Sequence, residues 1–191
     1  MPVGLTIQAV ETPLGGLLLV ADAEGFLRAA EFEDCEIRLR RHFERRLGPA
    51  GYALSPGMVP PAITAALDAY FGGELGIIDS IPLNPDGTPF QNEVWAALRT
   101  IAPGAPLTYA GLAVRLGRPQ AARAVGHANG ANPFSIVVPC HRLVGADGGL
   151  TGYGGGVARK RWLLDHEARH RLGAGAASAA DASDASPISA V

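Results

Sequence analysis

The tetrad Pro139-Cys140-His141-Arg142 gathers in four residues the groups that nucleophilic sulfur chemistry needs. A free cysteine titrates near pKa 8.5, about a poor nucleophile's value at neutral pH, unless a base or a positive charge favours its thiolate. Here an imidazole and a guanidinium follow the sulfur directly, and the preceding proline fixes the approach of the backbone. A glycine-rich stretch at 145–156 begins five residues downstream, where it can wrap a substrate held beside the sulfur. The plain alternative is a buried cysteine next to two surface residues.

Other candidate groups have blander readings. Cys35 sits in an unrelated context, and no Cys-x-x-Cys or Cys/His spacing outlines a metal site. Cys35 reads as a half-buried small apolar residue, with no disulfide to Cys140 in a reducing compartment. The five histidines do not cluster; His42, His127, His166 and His170 read as surface or helix-packing residues. The run Arg38-Leu39-Arg40-Arg41 has acids nearby and reads as a solvated helix face.

The elements that must hold the tetrad show as a change of pattern along the chain. Strand-like runs at 6–10, 16–21 and 27–32 are separated by turn chemistry at Thr12-Pro13-Leu14-Gly15 and Asp22-Ala23-Glu24-Gly25, which suggests an antiparallel meander. The spacing of Ile37, Leu39, Phe43 and Leu47 predicts a helix over 36–47, followed by a loop over 48–59. A second helix, over 60–72, has a proline start and a glycine stop. A further strand is predicted over 78–83. Pro82, Pro85 and Pro89 then mark a linker, dividing an α/β unit at 1–84 from a mostly helical unit at 85–171. That second unit carries helices over 90–100, over 109–116 with Thr108 as N-cap, and over 120–129. The last two, joined across Gly117-Arg118-Pro119, read as a helix-turn-helix. A closing helix is expected over 159–169, and the Ala/Ser/Gly/Asp tail 172–191 is expected to be disordered.

Composition narrows the function classes. With 191 residues, 48% of them hydrophobic and 18% charged, the chain excludes wholesale disorder, a collagen-like repeat and a cysteine-stapled module. No signal peptide shows in Met-Pro-Val-Gly-Leu-Thr, and the apolar stretch 15–20 is too short to cross a bilayer. A cytoplasmic protein with no membrane partner is the expectation. The net charge of −2 hides an asymmetry: residues 1–86 hold 6 Lys/Arg against 12 Asp/Glu, whereas residues 87–171 hold 10 against 4. A basic half suits a polyanion such as nucleic acid, although a solvated basic face has the same composition.

The second half resembles the O6-alkylguanine-DNA alkyltransferases (methylated-DNA–protein-cysteine methyltransferases), close to the bacterial constitutive type. The resemblance rests, in order, on Phe90-Gln91, Thr108-Tyr109, Ala121-Ala122-Arg123-Ala124-Val125-Gly126, Asn132-Pro133, Ile136-Val137-Val138-Pro139-Cys140-His141-Arg142, Thr151-Gly152-Tyr153-Gly154-Gly155-Gly156 and Trp162-Leu163-Leu164-Asp165-His166-Glu167. Residues 1–84 match only loosely, by size and by Tyr70-Phe71-Gly72-Gly73-Glu74-Leu75. The implied fold is α+β: a small N-terminal α/β domain of ribonuclease H-like type, then a mostly helical, winged helix-turn-helix alkyltransferase domain. The implied function is DNA repair. A methyl or small alkyl group would pass from O6 of guanine in double-stranded DNA, with O4 of thymine a second candidate, to the protein's own cysteine. The protein would act once, as a monomer, with no cofactor and no metal.

Roles follow from the same resemblance. Cys140 would accept the alkyl group as a thioether, and His141 would be the general base, relaying the thiol proton through a water to Glu167. Asn132 would tie the cysteine segment to the helix-turn-helix, and Tyr109 would protonate N3 of the departing guanine. The Gly154 amide would donate to O6, and the carbonyls of Cys140 and Leu143 would accept from the exocyclic amine. Tyr153, Gly155 and Ser135 would complete the pocket. The target atom lies inside the base stack, so the nucleotide must be turned out. Arg123 would fill the gap, while Ala121, Ala122, Ala124 and Gly126 would let the helix approach a minor groove about 6 Å wide. Arg142 and Gly104 read as structural. Some relatives hold zinc in the first domain through Cys and His; with one of each in 1–84, no such site is expected. Two other classes are set against this one. Alkyltransferase-like proteins flag a lesion without an acceptor cysteine, which this chain has. A thiol hydrolase or amidase would need an oxyanion hole and repeated turnover.

Overall fold

The computed structural model describes residues 1–150 and 152–181, with side chains as far as Arg171; Thr151 and the 182–191 part of the tail lie outside the described residues. The architecture is α+β. Strands β1 (Val3–Val10), β2 (Leu17–Ala21) and β3 (Leu27–Phe32) form the antiparallel meander, with Ile7 opposite Val20 and Leu19 opposite Ala30. A fourth strand, β4 (Tyr52–Pro56), runs parallel to β1 and makes the sheet mixed, in the order β3-β2-β1-β4. The sequence reading puts a loop there. Only Tyr52 and Leu54 of this edge strand turn inward, and Gly51 and Gly57 bracket it, so the alternation is too short to read.

Helices cover both faces of the sheet. On α1 (Glu36–Leu47), Leu39 and Phe43 pack against Leu5, Leu18, Val20 and Ala29. On α2 (Pro61–Phe71), Ile63, Leu67 and Tyr70 join Leu17 and Leu19 on the opposite face. That second core does not stop at the linker. It continues through Trp95 and Leu98 of α3 (Pro89–Arg99) to Val125, Val137 and Leu163 in the helical half.

The strand expected over 78–83 is replaced by a 3-10 turn at Ile77–Ser80. Ile78 and Ile81 are buried at the three-residue spacing of that turn, and only Leu83 bridges to the sheet, at Leu27. A capping box starts α3: the Thr88 hydroxyl accepts from the Gln91 amide, and the Gln91 side chain accepts from the Thr88 amide. Thr108 caps α4 (Tyr109–Arg115) by accepting from the Gly111 amide at 2.9 Å. After a turn through Gly117, α5 (Ala122–Gly130) completes the helix-turn-helix. The pair β5 (Leu107–Thr108) and β6 (Leu143–Val144) is parallel. The last helix, α6 (Val157–Asp181), runs past residue 169, where the sequence reading closes it, and takes in residues 172–181 of the tail that reading expects to be disordered. Alanine, the strongest helix former, dominates that extension.

The exposed edge of β3 fastens the halves together. Ala30 donates to the Pro133 carbonyl at 2.9 Å, and Ser135 donates back to Ala30 at 2.7 Å. Leu27 pairs in the same way with the linker, donating to Pro82 at 2.9 Å and accepting from Asn84 at 3.0 Å. Among the described residues, no helix is long and apolar enough to cross a membrane, and no group of three or more His, Cys, Asp or Glu gathers to hold a metal ion.

Candidate active site

The segment that carries Cys140 is folded by its own turns. Ile136 has φ +71°, an uncommon conformation for a β-branched residue, and it sits in a three-residue turn closed by Val137 donating to Ser135 at 2.8 Å. A second such turn surrounds Pro139, at φ −77° and ψ 63°, closed by Cys140 donating to Val138 at 2.7 Å. Proline's ring already holds that φ. Asn132 locks the two turns from inside. Its amide nitrogen donates to the carbonyls of Val138 at 2.9 Å and Phe134 at 3.4 Å, and its oxygen accepts from the Phe134 amide at 3.0 Å.

Behind the cysteine, α6 supplies Glu167, completely buried and surrounded by donors. One carboxylate oxygen, Oε1, accepts from His141 Nε2 at 2.9 Å, from the Tyr70 hydroxyl at 3.0 Å and from Arg142 Nη2 at 2.9 Å. The other, Oε2, accepts from Arg142 Nε and from the Gly104 amide, both at 3.1 Å. Gly104 reaches that position at φ +67°, where a Cβ would stand 3.1 Å from the Glu167 carbonyl oxygen. Arg142 is in turn fixed by donating to the Ile101 carbonyl at 2.6 Å. Burial by itself would raise the Glu167 carboxyl. The hydrogen bonds from His141 and Arg142, with the Arg142 charge, outweigh it and hold the group well below the usual carboxylate range.

An ionised carboxylate only accepts, so His141 must carry its proton on Nε2. Burial depresses the imidazole's pKa and keeps the ring neutral, with Glu167 opposing the shift. Nδ1 is then the basic nitrogen. It is buried and has no protein partner among the described residues. The ring is aligned by Glu167 on one side and meets Tyr153 edge-on, with centroids 6.5 Å apart.

The thiol differs from the sequence expectation. Arg142 points away from sulfur to Glu167, so the adjacent guanidinium does not stabilise a thiolate. Burial pushes the Cys140 thiol up, against weaker support from Asn132, Arg38 and Lys160. The resting group is therefore a protonated thiol that needs a base. It is nonetheless reachable: Cys140 lies on the wall of a cavity of about 340 Å³ with Tyr109, Gly126, Asn132, Ser135, Tyr153 and Gly154. Ser135 donates to the buried carboxylate of Glu31 at 3.0 Å. Leu143 and Gly155 are buried and do not line the cavity. On the helix-turn-helix, Arg123 and Ala124 are exposed, Ala121 belongs to the 3-10 turn Pro119–Ala121, and Ala122 packs on the core.

Three participants escape the sequence reading. Tyr70 lies in the loosely matching half yet touches the buried carboxylate. Lys160 is fully buried, and sits two turns from Glu167 on the apolar face of α6 that also presents Leu163. A lysine on an apolar helical stripe is the signal that points to it. Arg38, from α1, lines the same cavity as Cys140 and pairs with Glu31 at 3.5 Å. A Cβ on Gly154 would fall on its guanidinium.

A reactive-cysteine site joined to a helix-turn-helix defines a class of DNA-directed transferase. Residues 89–169 match the family described as 6-O-methylguanine DNA methyltransferase, DNA binding domain. Methylated-DNA–protein-cysteine methyltransferases of Shigella flexneri and Mycolicibacterium paratuberculosis are 49% and 57% identical over 160 and 163 residues. These matches cover 84% and 85% of this chain, and 94% and 92% of the relatives. Among solved structures, Mycobacterium tuberculosis OGT in complex with DNA superposes with a TM-score of 0.72 at 39% identity, over 88% of this chain and 94% of that one. The chain belongs to the methylated-DNA–protein-cysteine methyltransferase family.

Proposed function

We propose that this protein repairs DNA by moving a methyl or small alkyl group from O6 of guanine to Cys140 in a single, irreversible event. It is a methylated-DNA–[protein]-cysteine S-methyltransferase acting in the cytoplasm on double-stranded DNA. It works as a monomer of the bacterial constitutive type, the reading supported by near-full-length matches to bacterial relatives. Residues 1–84 brace the site and residues 85–171 bear it. The observation that carries the proposal is a cysteine on a cavity wall, followed by a neutral imidazole that a buried carboxylate aligns.

In the reaction, His141 Nδ1 takes the thiol proton through a bridging water, and Glu167 stabilises the imidazolium. The sulfur anion attacks the alkyl carbon, the carbon–O6 bond breaks, and a thioether forms. Tyr109 protonates N3 as negative charge develops on the guanine, so the proton lost from sulfur is, in net, the one gained by the base. The Gly154 amide donates to O6, and the carbonyls of Cys140 and Leu143 take the exocyclic amine. Arg123 occupies the space left in the duplex, at a cost of a few kcal/mol for extrusion of the nucleotide. Small residues at the start of and along α5, Ala121 in the preceding 3-10 turn and Ala122, Ala124 and Gly126 in the helix, permit close approach without base reading.

The Cys140→Ser variant tests this division. It should lose all alkyl transfer and still bind duplex DNA, because the phosphates are held elsewhere. Retained transfer, or sustained turnover by the wild type on excess substrate, would overturn the reading. Arg123→Ala should weaken capture of alkylguanine in DNA more than reaction with the free base O6-benzylguanine. Equal losses would deny it a flipping role.

A further inference from the structure

Helix α1 lies outside the helix-turn-helix, yet one of its faces adjoins it. At about 100° per residue, Arg38, Arg41, His42 and Arg45 project on one side of α1. Leu39 and Phe43 occupy the buried side, and Glu36 and Glu44 fall away from the basic row. The acids that balance this run in sequence therefore do not balance it in space. Glu36 pairs with Arg40 at 2.6 Å, and Asp86 is taken by His42 and Arg28 at 2.8 and 3.4 Å. Arg38 is engaged by Glu31 and by the Gly130 carbonyl. Arg41 and Arg45 are exposed, and neither has an ion pair or hydrogen bond among the described residues.

Their position matters more than their number. Arg45 lines an open groove of about 660 Å³ together with Tyr109, Arg123 and Gly126, the residues expected against DNA. The groove passes Gly130 and Ala131 into a cleft of about 380 Å³ whose α1 wall holds both Arg41 and Arg45. The surface is thus continuous from the end of α5 onto α1. Arg41 and Arg45 stand about 6 Å apart along the helix axis. Nothing apolar on this row offers a protein contact, and the open cations match a phosphodiester backbone.

We propose that Arg41 and Arg45 extend the DNA interface onto the N-terminal half, where they contact backbone phosphates of the duplex beside the extruded nucleotide. This proposal rests on the DNA-repair reading above. It adds affinity without sequence preference, because each phosphate contact releases counterions.

The test compares wild type, Arg41→Gln/Arg45→Gln and Arg41→Lys/Arg45→Lys on an unalkylated duplex over a salt series. Loss of two phosphate contacts should lower the log–log salt slope by about 2 and weaken binding on the order of tenfold at 0.15 M salt. Lysine should restore both, since a point charge suffices. Reaction with free O6-benzylguanine, which has no phosphate, reports separately on the Cys140 pocket. The proposal is overturned if the glutamine variant keeps the wild-type slope and affinity, if lysine fails to rescue, or if free-base reaction falls in parallel with DNA binding. Failure of the wild type to transfer methyl to Cys140 would sink the repair reading instead, a result the salt slope on undamaged DNA does not touch.

Discussion

At Cys140 burial and chemistry pull in opposite directions. Burial disfavours the sulfur anion, so the reactive species must be made on demand by a base that is itself neutral. In the proposed mechanism His141 is that base: Glu167 claims its Nε2 proton and leaves Nδ1 free to accept. The rate of transfer should therefore be level through neutral pH and fall on the acid side of about pH 6.5, the ordinary histidine value, because burial depresses this one. An acid limb centred above pH 7 would contradict a neutral base. Stability has the same sign. Below about pH 6.5 the unfolded chain binds a proton at position 141 that the folded chain refuses, and below about pH 4.3 the same holds at Glu167. Denaturant midpoints should drop progressively as the pH falls through both windows. Glu167→Gln removes the anion that orients His141, and should slow transfer on the order of 10²-fold even with the free base. An unchanged rate would make the carboxylate merely structural.

At the scale of elements, the turns around Ile136 and Pro139 aim the sulfur, and Asn132 holds both. Asn132→Ala leaves the buried Phe134 amide unpaired and takes from the Val138 carbonyl one of its two donors, leaving only the Cys140 amide. It should destabilise the fold by about 3 kcal/mol in urea unfolding and slow reaction with the free base. Thr88→Ala, by contrast, removes half of a capping box far from the sulfur. A loss of about 1 kcal/mol with unaltered transfer is expected. Motif residues were legible because the cysteine turn and the helix-turn-helix are local in sequence, with proline, glycine and threonine marking their ends. β4 was not legible, since an edge strand with two inward residues lacks a pattern. The 78–83 stretch misled because β-branched isoleucines give it the composition of a strand, while Ile78 and Ile81 have the three-residue spacing of a 3-10 turn. Tyr70 carries no local signature: it matters through Glu167, distant along the chain, and only the folded core brings it to the site.

On the scale of the whole molecule, the linker does not separate two independent bodies. One core runs from Leu17 to Leu163, β3 pairs with the Asn132–Cys140 segment, and Tyr70 reaches across to Glu167. Unfolding should accordingly be a single cooperative transition, with tryptophan fluorescence from Trp95 and Trp162 coinciding with loss of far-ultraviolet dichroism. Two separated transitions would contradict a shared core. The same coupling explains why an N-terminal half with little recognisable motif still shapes the chemistry, through Tyr70, Glu31 and Arg38. The most direct measurement is peptide mass spectrometry after incubation with a several-fold excess of duplex containing O6-methylguanine. One methyl per chain, on the peptide bearing Cys140 and never more than one, is the expected result. A methyl on another residue, no methyl at all, or demethylated DNA in excess of protein would contradict it.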